Sequence, residues 1–291
     1  MTIAITGASG HLGRLTVESL IARGVAPETI LATARHPESL ARFGERGVRT
    51  RLLDYDRPET IPAALQGVDT LLLISSRGAQ DRVQQHLSVI DSARSAGIGR
   101  VVYTSTIPGM VLSPDHVATE QVLKQSGLAT TILRNGWYTD NYAPSIPAIL
   151  ASGELIASVG TGRVASATRS ELAEATARVL DEDAHDGKTY TLTADKAWGY
   201  DELSAAIGKA TGRSVRLRNL SSEDHLQTLR DEGVDEGAAG FLVAVDRDIK
   251  AGLLGLTSPD LTRLLERPPM SLVQAIQTLC DPRTSLGCVS Q

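Results

Sequence analysis

The sequence begins Met1-Thr-Ile-Ala-Ile-Thr-Gly7-Ala-Ser-Gly10-His-Leu-Gly13, a short apolar run followed by three glycines at intervals of three residues. Two isoleucines alternate with small residues, as in a short buried strand, and leucines then recur at helical spacing. Gly7 permits a tight turn, Gly10 lets the backbone approach a pyrophosphate, and Gly13 lets the helix pack closely against its strand. The stretch therefore predicts a strand, a turn and a helix whose N-terminus holds phosphate groups.

The position of this glycine trio strengthens the prediction, because glycines alone collect in many kinds of turn. Here the trio directly follows a strand-like run and precedes a helical pattern, and a second strand-like run comes at residues 30–34. This is the context that a dinucleotide-binding fingerprint requires. The residues of the turn that we expect to bind the cofactor are Gly7, Ala8, Ser9, Gly10, His11, Leu12 and Gly13.

The composition of the 291-residue chain argues against several other classes of function. With a net charge of −5 and no cluster of basic residues, the chain is not expected to bind DNA or RNA. The longest apolar run, residues 68–74, is too short to span a bilayer, so we expect no membrane partner either. Cys280 and Cys288 are the two cysteines of the sequence, which indicates neither a disulfide framework nor a metal cluster. We therefore expect a soluble, cytoplasmic protein that binds no metal.

Strand-like and helix-like segments alternate through the first half of the chain, which predicts a parallel sheet with helices on both faces. Apolar residues at helical spacing predict a helix at residues 81–96, and Ser113-Pro-Asp reads as a cap and first turn of a second helix that runs to about residue 126. Together with the glycine turn, this order predicts a Rossmann-type doubly wound α/β fold. The strand-like runs are residues 3–6, 30–34, 48–53, 70–75, 101–105 and 130–133.

The regular alternation ends after residue 134, and the later part of the chain has no phosphate turn of its own. Thr168-Arg-Ser-Glu171 is typical of a capping box that opens another helix. We predict an NADP-binding Rossmann domain over residues 1–135, with segments from about 160–195 returning to it. Residues 136–291 are expected to form mainly a smaller, mixed α+β substrate lobe.

The end of the second strand indicates which nucleotide is bound. NAD-specific sites carry an acidic residue here for the ribose 2′-hydroxyl, whereas this chain has Ala34-Arg35-His36 and no carboxylate before Glu38. An arginine at this place suits a 2′-phosphate, so we expect NADPH as the cofactor, with a solvated surface arginine as the alternative. Asp54 and Tyr55 follow the third strand, where such folds bracket the adenine ring, although Tyr55 could instead be a packed structural residue.

The catalytic residues are less clear from the sequence. Many short-chain dehydrogenases use a tyrosine and a lysine four residues later, but no tyrosine of this sequence has a lysine at that spacing. The corresponding helix carries His116 and Glu120 one turn apart on one face. His116 could donate a proton near neutral pH while Glu120 holds its ring. The alternative is an ordinary surface ion pair.

At this point the chain resembles the atypical, NmrA-like short-chain reductases, and among them the bacterial NADPH quinone reductases and triphenylmethane dye reductases. The resemblance extends over nearly the whole chain, and its most specific block is residues 134–142. The motifs that carry it are Thr6-Gly-Ala-Ser-Gly-His-Leu-Gly13, Arg35, Leu72-Leu-Ile-Ser-Ser76, Tyr103-Thr-Ser105, His116-Val-Ala-Thr-Glu120, Leu133-Arg-Asn-Gly-Trp-Tyr-Thr-Asp-Asn-Tyr142, Ser166-Ala-Thr-Arg169 and Lys188-Thr-Tyr190.

The resemblance implies a protein of two lobes in which the smaller lobe closes over a flat aromatic acceptor. It implies that the loop at residues 77–80 and the segment 106–110 border the acceptor, and both depart from the quinone reductase pattern. Asn135 or Tyr138 would donate a hydrogen bond to the acceptor oxygen, and Trp137 would either stack on a ring or anchor the core. The residues implied around the nicotinamide are Ser75, Ser76, Asn135, Trp137 and Tyr138, and Thr104 and Gly136 are further expected cofactor contacts.

The leading hypothesis is therefore an NADPH-dependent oxidoreductase that reduces a quinone or a similar conjugated acceptor, with His116, Tyr138 and Asn135 as the candidate catalytic residues. A second hypothesis keeps the fold and changes the acceptor to a ketone, an imine or a triarylmethane compound. A third, of a different class, is a non-catalytic regulator that senses NADP(H). The expected partner is a small aromatic or carbonyl compound, and the sequence is compatible with a homodimer.

Overall fold

The computed structural model describes residues 1–76 and 81–281 of the chain. In this part of the chain, a parallel sheet of seven strands forms the centre of the molecule, in the order β3-β2-β1-β4-β5-β6-β9. The chain builds outward from β1 in both directions, so a crevice opens between β1 and β4 at the carboxyl edge of the sheet. The predicted Rossmann-type fold is confirmed. The strands are β1 (Ile3–Ile5), β2 (Ile30–Ala34), β3 (Arg49–Leu52), β4 (Thr70–Ile74), β5 (Arg100–Thr106), β6 (Ala129–Asn135) and β9 (Thr189–Leu192).

Helices cover both faces of this sheet. On one face α1 and α7 pack against each other, and on the other face α4 packs against α5 and α3. Within the described residues, no helix combines the length and apolar character that crossing a membrane requires. The helices are α1 (His11–Ala22), α2 (Ala41–Gly44), α3 (Ile61–Ala64), α4 (Arg82–Ser95), α5 (Ser113–Gln125) and α7 (Arg169–Asp181).

The two faces of the sheet bury two separate cores, because successive side chains of a strand point to opposite sides. In β1, Ile3 and Ile5 pack into the first core beside α1 and α7, whereas Ala4 between them packs into the second core beside α4. Strands β1, β2, β4 and β5 are buried on both faces, which explains why they read as nearly continuous apolar runs in the sequence, whereas the edge strand β3 is largely exposed.

The rest of the described chain forms two small sheets and further helices. β7 pairs with β11 in parallel, and β8 pairs with β10 antiparallel. A third core, which includes Tyr142, Trp198, Leu203 and Ile249, fills this region. The boundaries that we predict between the two lobes stay a prediction. The elements are α6 (Ile146–Ser152), β7 (Glu154–Ala157), β8 (Arg163–Val164), β10 (Trp198–Gly199), α8 (Tyr200–Thr211), β11 (Arg216–Asn219), α9 (Ser222–Asp231), α10 (Glu236–Lys250), α11 (Asp260–Leu265) and α12 (Leu272–Cys280).

The structure confirms the helices predicted near residues 81–96 and 113–126, as well as the capping box at Thr168 and Glu171. The predicted cap at Ser113 is wrong by one residue, because Ser113 lies inside α5 and the cap position is occupied by Leu112. The Ser113 hydroxyl instead closes the preceding turn, where it accepts from the Gly109 N–H and donates to the Met110 carbonyl.

Candidate functional site

A cavity of about 1070 Å³ lies at the carboxyl edge of the large sheet, in the crevice between β1 and β4. Its volume is at the upper end of the roughly 300–1,000 Å³ that small-molecule sites occupy. All but one of the predicted site residues line this cavity. They are Gly7, Ser9, Gly10, His11, Leu12, Gly13, Arg35, Asp54, Tyr55, Ser75, Ser76, Thr104, His116, Asn135, Gly136, Trp137 and Tyr138.

Ala8 is the exception among the predicted cofactor residues. Its side chain is fully buried in the first core, and its N–H donates to the Thr33 carbonyl of β2 at 2.9 Å. Ala8 therefore fastens the glycine turn to the sheet and does not form part of the cavity wall.

The glycine turn requires glycine at Gly7 for its backbone angle and at Gly13 for lack of space. Gly7 has a φ of +57°, in the left-handed region that favours glycine, and the Gly10 N–H donates to the Gly7 carbonyl at 2.9 Å. A Cβ at Gly13 would lie 2.4 Å from the Gly7 oxygen and 2.8 Å from the Ala8 Cα. The turn therefore brings the first residues of α1 directly to the cavity, and this arrangement fits the phosphates of a dinucleotide.

Arg35 lies at the rim of the cavity, at the end of β2. Two thirds of its side chain is exposed, and its guanidinium lies 3.9 Å from the Asp56 carboxylate, beyond hydrogen-bond distance. The neighbouring Asp54 carboxylate accepts the Asp56 N–H at 3.1 Å. A cation held this loosely at a rim is suited to a phosphate arriving from solvent.

Tyr55 has a structural hydroxyl although its side chain reaches the cavity. Its Oη lies 2.7 Å from Thr6 Oγ1 and 2.7 Å from the Ile74 carbonyl oxygen, so it joins the ends of β1 and β4. Burial raises the pKa of Tyr55, which keeps the phenol neutral. These hydrogen bonds support the alternative that Tyr55 is a packed structural residue. The contact of its ring with adenine stays a prediction.

The inner end of the cavity contains buried polar atoms that need a partner. The Asn135 side-chain nitrogen lies 3.2 Å from Tyr138 Oη, whereas no residue of the described chain bonds its side-chain oxygen. The Ser76 hydroxyl is also buried without a hydrogen bond to any described residue. Unpaired buried polar groups cost free energy, so such atoms indicate a place where a ligand is bound. Asn135 and Ser76 therefore fit the polar end of a cofactor.

The segment that follows β5 forms another part of the cavity wall. Met110 and Leu112 line the cavity, and Met110 is at the same time buried in the third core. Between them, the Val111 N–H donates to the Asp248 carboxylate of α10 at 2.6 Å. The predicted bordering segment 106–110 therefore reaches the cavity, whereas the loop at residues 77–80 lies outside the described residues.

Arg169 and Asn141 also line the cavity, and neither was among the predicted site residues. The Arg169 guanidinium lies over the Tyr138 ring, 4.8 Å from its centroid, and donates to the Asn141 side-chain oxygen at 2.7 Å. Both residues belong to motifs that carry the family resemblance. The contact between Tyr138 and Arg169 could not be predicted from spacing, because the two residues are 31 positions apart in the sequence.

The predicted pairing of His116 with Glu120 is wrong. Glu120 is 3% exposed, and its carboxylate accepts two hydrogen bonds from Arg134 at 3.0 and 2.6 Å and one from Ser105 at 2.6 Å. His116 is bonded elsewhere, with its Nδ1 3.0 Å from Tyr103 Oη. The surface ion pair considered as the alternative is also wrong, because the carboxylate is buried. The bidentate guanidinium of the neighbouring strand is a stronger partner than an imidazole on the same helix.

The surroundings of His116 disfavour its charged form, and its role as a proton donor stays a prediction. Burial, followed by the charge of Arg82, lowers the pKa of His116 to about 4. The His86 Nδ1 lies 2.9 Å from Thr119 Oγ1, and its Nε2 accepts the Ser76 N–H at 3.4 Å. Burial, followed by His116 and Arg82, lowers the pKa of His86 to about 3. The surroundings of His86 and His116 thus disfavour the charged form of both rings.

Lowering the pH below 6.5 should destabilise the protein, because the unfolded chain binds protons that the native His86 and His116 exclude. Their native pKa values lie below the ordinary value of 6.5, so the free energy of unfolding falls as the pH falls through this window. His86→Gln should reduce the slope of the unfolding free energy against pH by up to about 1.4 kcal/mol per pH unit. Urea unfolding between pH 6.5 and about 5 measures the slope, above the main titration range of carboxylates. The exposed His36→Gln is the control, and an unchanged slope in His86→Gln would contradict the prediction.

The fold and the cavity agree with the family to which the sequence belongs. The family model described as NAD(P)H-binding matches residues 7–183, and the chain belongs to this NAD(P)H-binding, NmrA-like family. Its relatives include an NmrA-like family domain-containing oxidoreductase of Aspergillus flavus, which is 32% identical over 96% of this chain and 95% of that protein.

Two bacterial reductases are similar over nearly their whole length. Quinone oxidoreductase 2 of Escherichia coli is 39% identical, over 95% of this chain and 98% of that one. Its crystal structure with NADPH superposes with a TM-score of 0.92, and the match covers 96% of this chain and 100% of that chain. The triphenylmethane reductase of Citrobacter sp., solved with NADP(H), is 33% identical with a TM-score of 0.91 over 96% of this chain and 100% of that chain.

Proposed function

We propose that this protein is an NADPH-dependent oxidoreductase that transfers hydride to a quinone or a similar conjugated aromatic acceptor. The observation that carries the proposal is its similarity to the E. coli quinone oxidoreductase 2, in sequence and in fold, over almost the full length of both chains. The cavity supports it, because a dinucleotide-type glycine turn and an inner polar end lie in one continuous space.

The chain's own residues divide the binding of the cofactor among them. The first turn of α1, from His11, would hold the phosphates, and Arg35 at the rim would bind the 2′-phosphate. Asn135 and Ser76 would bond the polar groups at the inner end, since both carry buried atoms that no described residue pairs. When bound, NADPH would supply the hydride with its electron pair and leave as NADP⁺.

The environment of His116 favours a quinone over a ketone as the acceptor. An alkoxide formed from a ketone needs a proton at once, and an imidazole with a pKa of about 4 carries none to give near pH 7. A quinol oxyanion is stabilised by conjugation and takes its proton from water. Positioned donors such as Tyr138 would stabilise the charge as it builds on the acceptor oxygen.

The direct test mixes the purified protein with NADPH and a panel of quinones, ketones, azo dyes and triarylmethane dyes, while the absorbance of the reduced nicotinamide is followed. Quinones are expected to be reduced, and His116→Ala should leave their kcat nearly unchanged. Turnover confined to ketones and lost in His116→Ala would contradict the proposal. Tight binding of NADPH without turnover of any acceptor would instead support a nucleotide-sensing regulator.

Arg35→Ala should weaken the use of NADPH and spare that of NADH, because the guanidinium is the proposed partner of the 2′-phosphate. Losing a charged hydrogen bond of about 1.5–3 kcal/mol predicts a KM for NADPH raised by roughly 10- to 100-fold. Arg57→Ala is a matched control, since Arg57 is exposed on a neighbouring turn and is paired with Glu59. Steady-state kinetics with both nucleotides measure the effect, and equal losses for NADPH and NADH would remove Arg35 from this role.

We further propose a cytoplasmic location and a homodimer. Free thiols are typical of a reducing compartment, and Cys280 is unpaired in the described part of the chain. Sedimentation equilibrium tests the homodimer, and the mass of a monomer at micromolar concentration would contradict it.

A further inference from the structure

The cavity wall contains a tyrosine and a cation in contact, although the sequence lacks the tyrosine and lysine pair of many short-chain dehydrogenases. The Arg169 guanidinium lies over the face of the Tyr138 ring at 4.8 Å from the centroid, and both side chains line the cavity. In the usual pair, the lysine charge makes the tyrosine a better donor. A cation on the ring face acts in the same direction, because it stabilises negative charge in the π system to which the phenolic oxygen is conjugated.

The backbone holds this contact in place from both sides. The Thr139 N–H donates to the Ala167 carbonyl at 3.0 Å, and the Ala167 N–H donates to the Trp137 carbonyl at 3.1 Å. Tyr138 and Arg169 are thus carried by two segments that are bonded to each other immediately beside them. Because the two side chains are already fixed, binding of a ligand costs them little conformational entropy.

The side chain of Arg169 is itself anchored. Its guanidinium donates to the Asn141 oxygen at 2.7 Å and lies 3.8 Å from the Asp140 carboxylate, and the side chain is 14% exposed. Asp140 also accepts the backbone N–H of Arg169 at 2.9 Å. These contacts fix the plane of the guanidinium, so its position over the ring is set by the protein and not by the ligand.

Asn135 sets the direction of the phenolic proton. The Asn135 side-chain N–H donates to Tyr138 Oη at 3.2 Å, so Tyr138 is the acceptor in that bond and its own proton is directed elsewhere. Asn135, Tyr138 and Arg169 all belong to the cavity wall. The phenol is therefore arranged as a hydrogen-bond donor with a cation on its ring.

We propose that Arg169 is a positioning residue that acts through Tyr138, and that it replaces by stacking what the absent lysine would supply. The inference rests on the proposed function, since the charge to be stabilised is the oxyanion that builds on the acceptor as the hydride arrives. Tyr138 keeps its proton throughout, and the quinol oxyanion takes its proton from water. The neutral His116 is not required for this step.

A double-mutant cycle on kcat tests the inference, with Arg169→Met, Tyr138→Phe and the double variant assayed on a quinone that the wild type reduces. Arg169→Met should lower kcat about 30-fold, the loss that corresponds to a desolvated cation–π contact. The double variant should be no slower than Tyr138→Phe alone, because Arg169 acts only through the phenol. Arg169→Lys should recover most of the loss, since it restores the charge over the ring.

Binding of NADPH, measured by calorimetry without any acceptor, separates this role from two others. The Kd should stay within about twofold of wild type in Arg169→Met, and Arg263→Met, an exposed arginine of α11, is the control for a lost surface charge. A raised Kd would overturn the inference, because Arg169 would then bind the nucleotide itself. Additive losses in the cycle would overturn it as well. A wild-type protein that reduces no quinone would overturn the proposed function and the inference with it, whereas an active wild type with additive losses overturns the inference alone.

Discussion

Replacing Gly13 with alanine is expected to lower the affinity for NADPH about a hundredfold. The new Cβ would lie 2.4 Å from the Gly7 carbonyl oxygen and 2.8 Å from the Ala8 Cα, and both are backbone atoms that cannot rotate away. α1 must move off β1, which displaces the turn that is proposed to hold the phosphates. The same overpacking should cost about 1–3 kcal/mol of stability. Calorimetric titration of NADPH and urea unfolding measure the two effects separately.

Gly240→Ala is the matched control for this substitution. Gly240 lies within α10, has open space around the position of a Cβ, and is remote from the glycine turn. Alanine should leave NADPH binding unchanged and raise stability slightly, because a glycine inside a helix is unfavourable. If a folded Gly13→Ala variant bound NADPH as tightly as the wild type, the turn would not be the phosphate site.

Glu120→Ala is expected to destabilise the protein by about 3–5 kcal/mol, the cost of breaking a buried ion pair on one side. Burial alone would raise the pKa of Glu120, but the hydrogen bonds of Arg134 and Ser105 outweigh it and hold that pKa below its usual value. The carboxylate is therefore ionised and fully used, and its removal leaves the Arg134 guanidinium without its bidentate partner. Because Arg134 precedes Asn135 at the end of β6, kcat should fall as well.

Two controls distinguish the effect of breaking this buried ion pair from the effect of removing a surface charge. Glu236→Ala removes the partner of Arg230 in an exposed pair and should be nearly neutral. The double variant Glu120→Ala with Arg134→Met should be more stable than Glu120→Ala alone, because the unpaired charge is gone. Urea unfolding of the four proteins measures these differences. A loss in Glu120→Ala no larger than in Glu236→Ala would show that the pair contributes little.

The fold and the cofactor end of the cavity could be predicted from the sequence because their signals are local. The glycine turn needs three glycines within seven residues, and buried parallel strands are apolar on both faces. Strands β8 and β10 escaped prediction because two residues are too few to show a period. The boundaries between lobes also could not be derived, since α11 near the end of the chain packs against α7 and β9 of the large sheet.

The residues at the inner end of the cavity could be predicted, but their contacts could not, because these contacts join distant segments. The spacing of His116 and Glu120 shows that they share a helix face, but it does not show that Arg134 of β6 competes for the carboxylate. The contact of Arg169 with Tyr138 depends in the same way on the pairing of two loops around Ala167. Sequence patterns describe one element at a time, whereas the choice of partner is decided when elements meet.

Met110 lies in the cavity wall and in the third core, whereas the glycine turn is fastened to the first core through Ala8. The two halves of the cavity thus depend on separately packed parts of the molecule. If the segment after β5 borders the acceptor as proposed, a change in the size of Met110 or Leu112 would reshape the space for the acceptor and leave the binding of NADPH unchanged. Related proteins could therefore change their acceptor through single substitutions in this segment. Each substitution would leave the glycine turn and its proposed phosphate site intact.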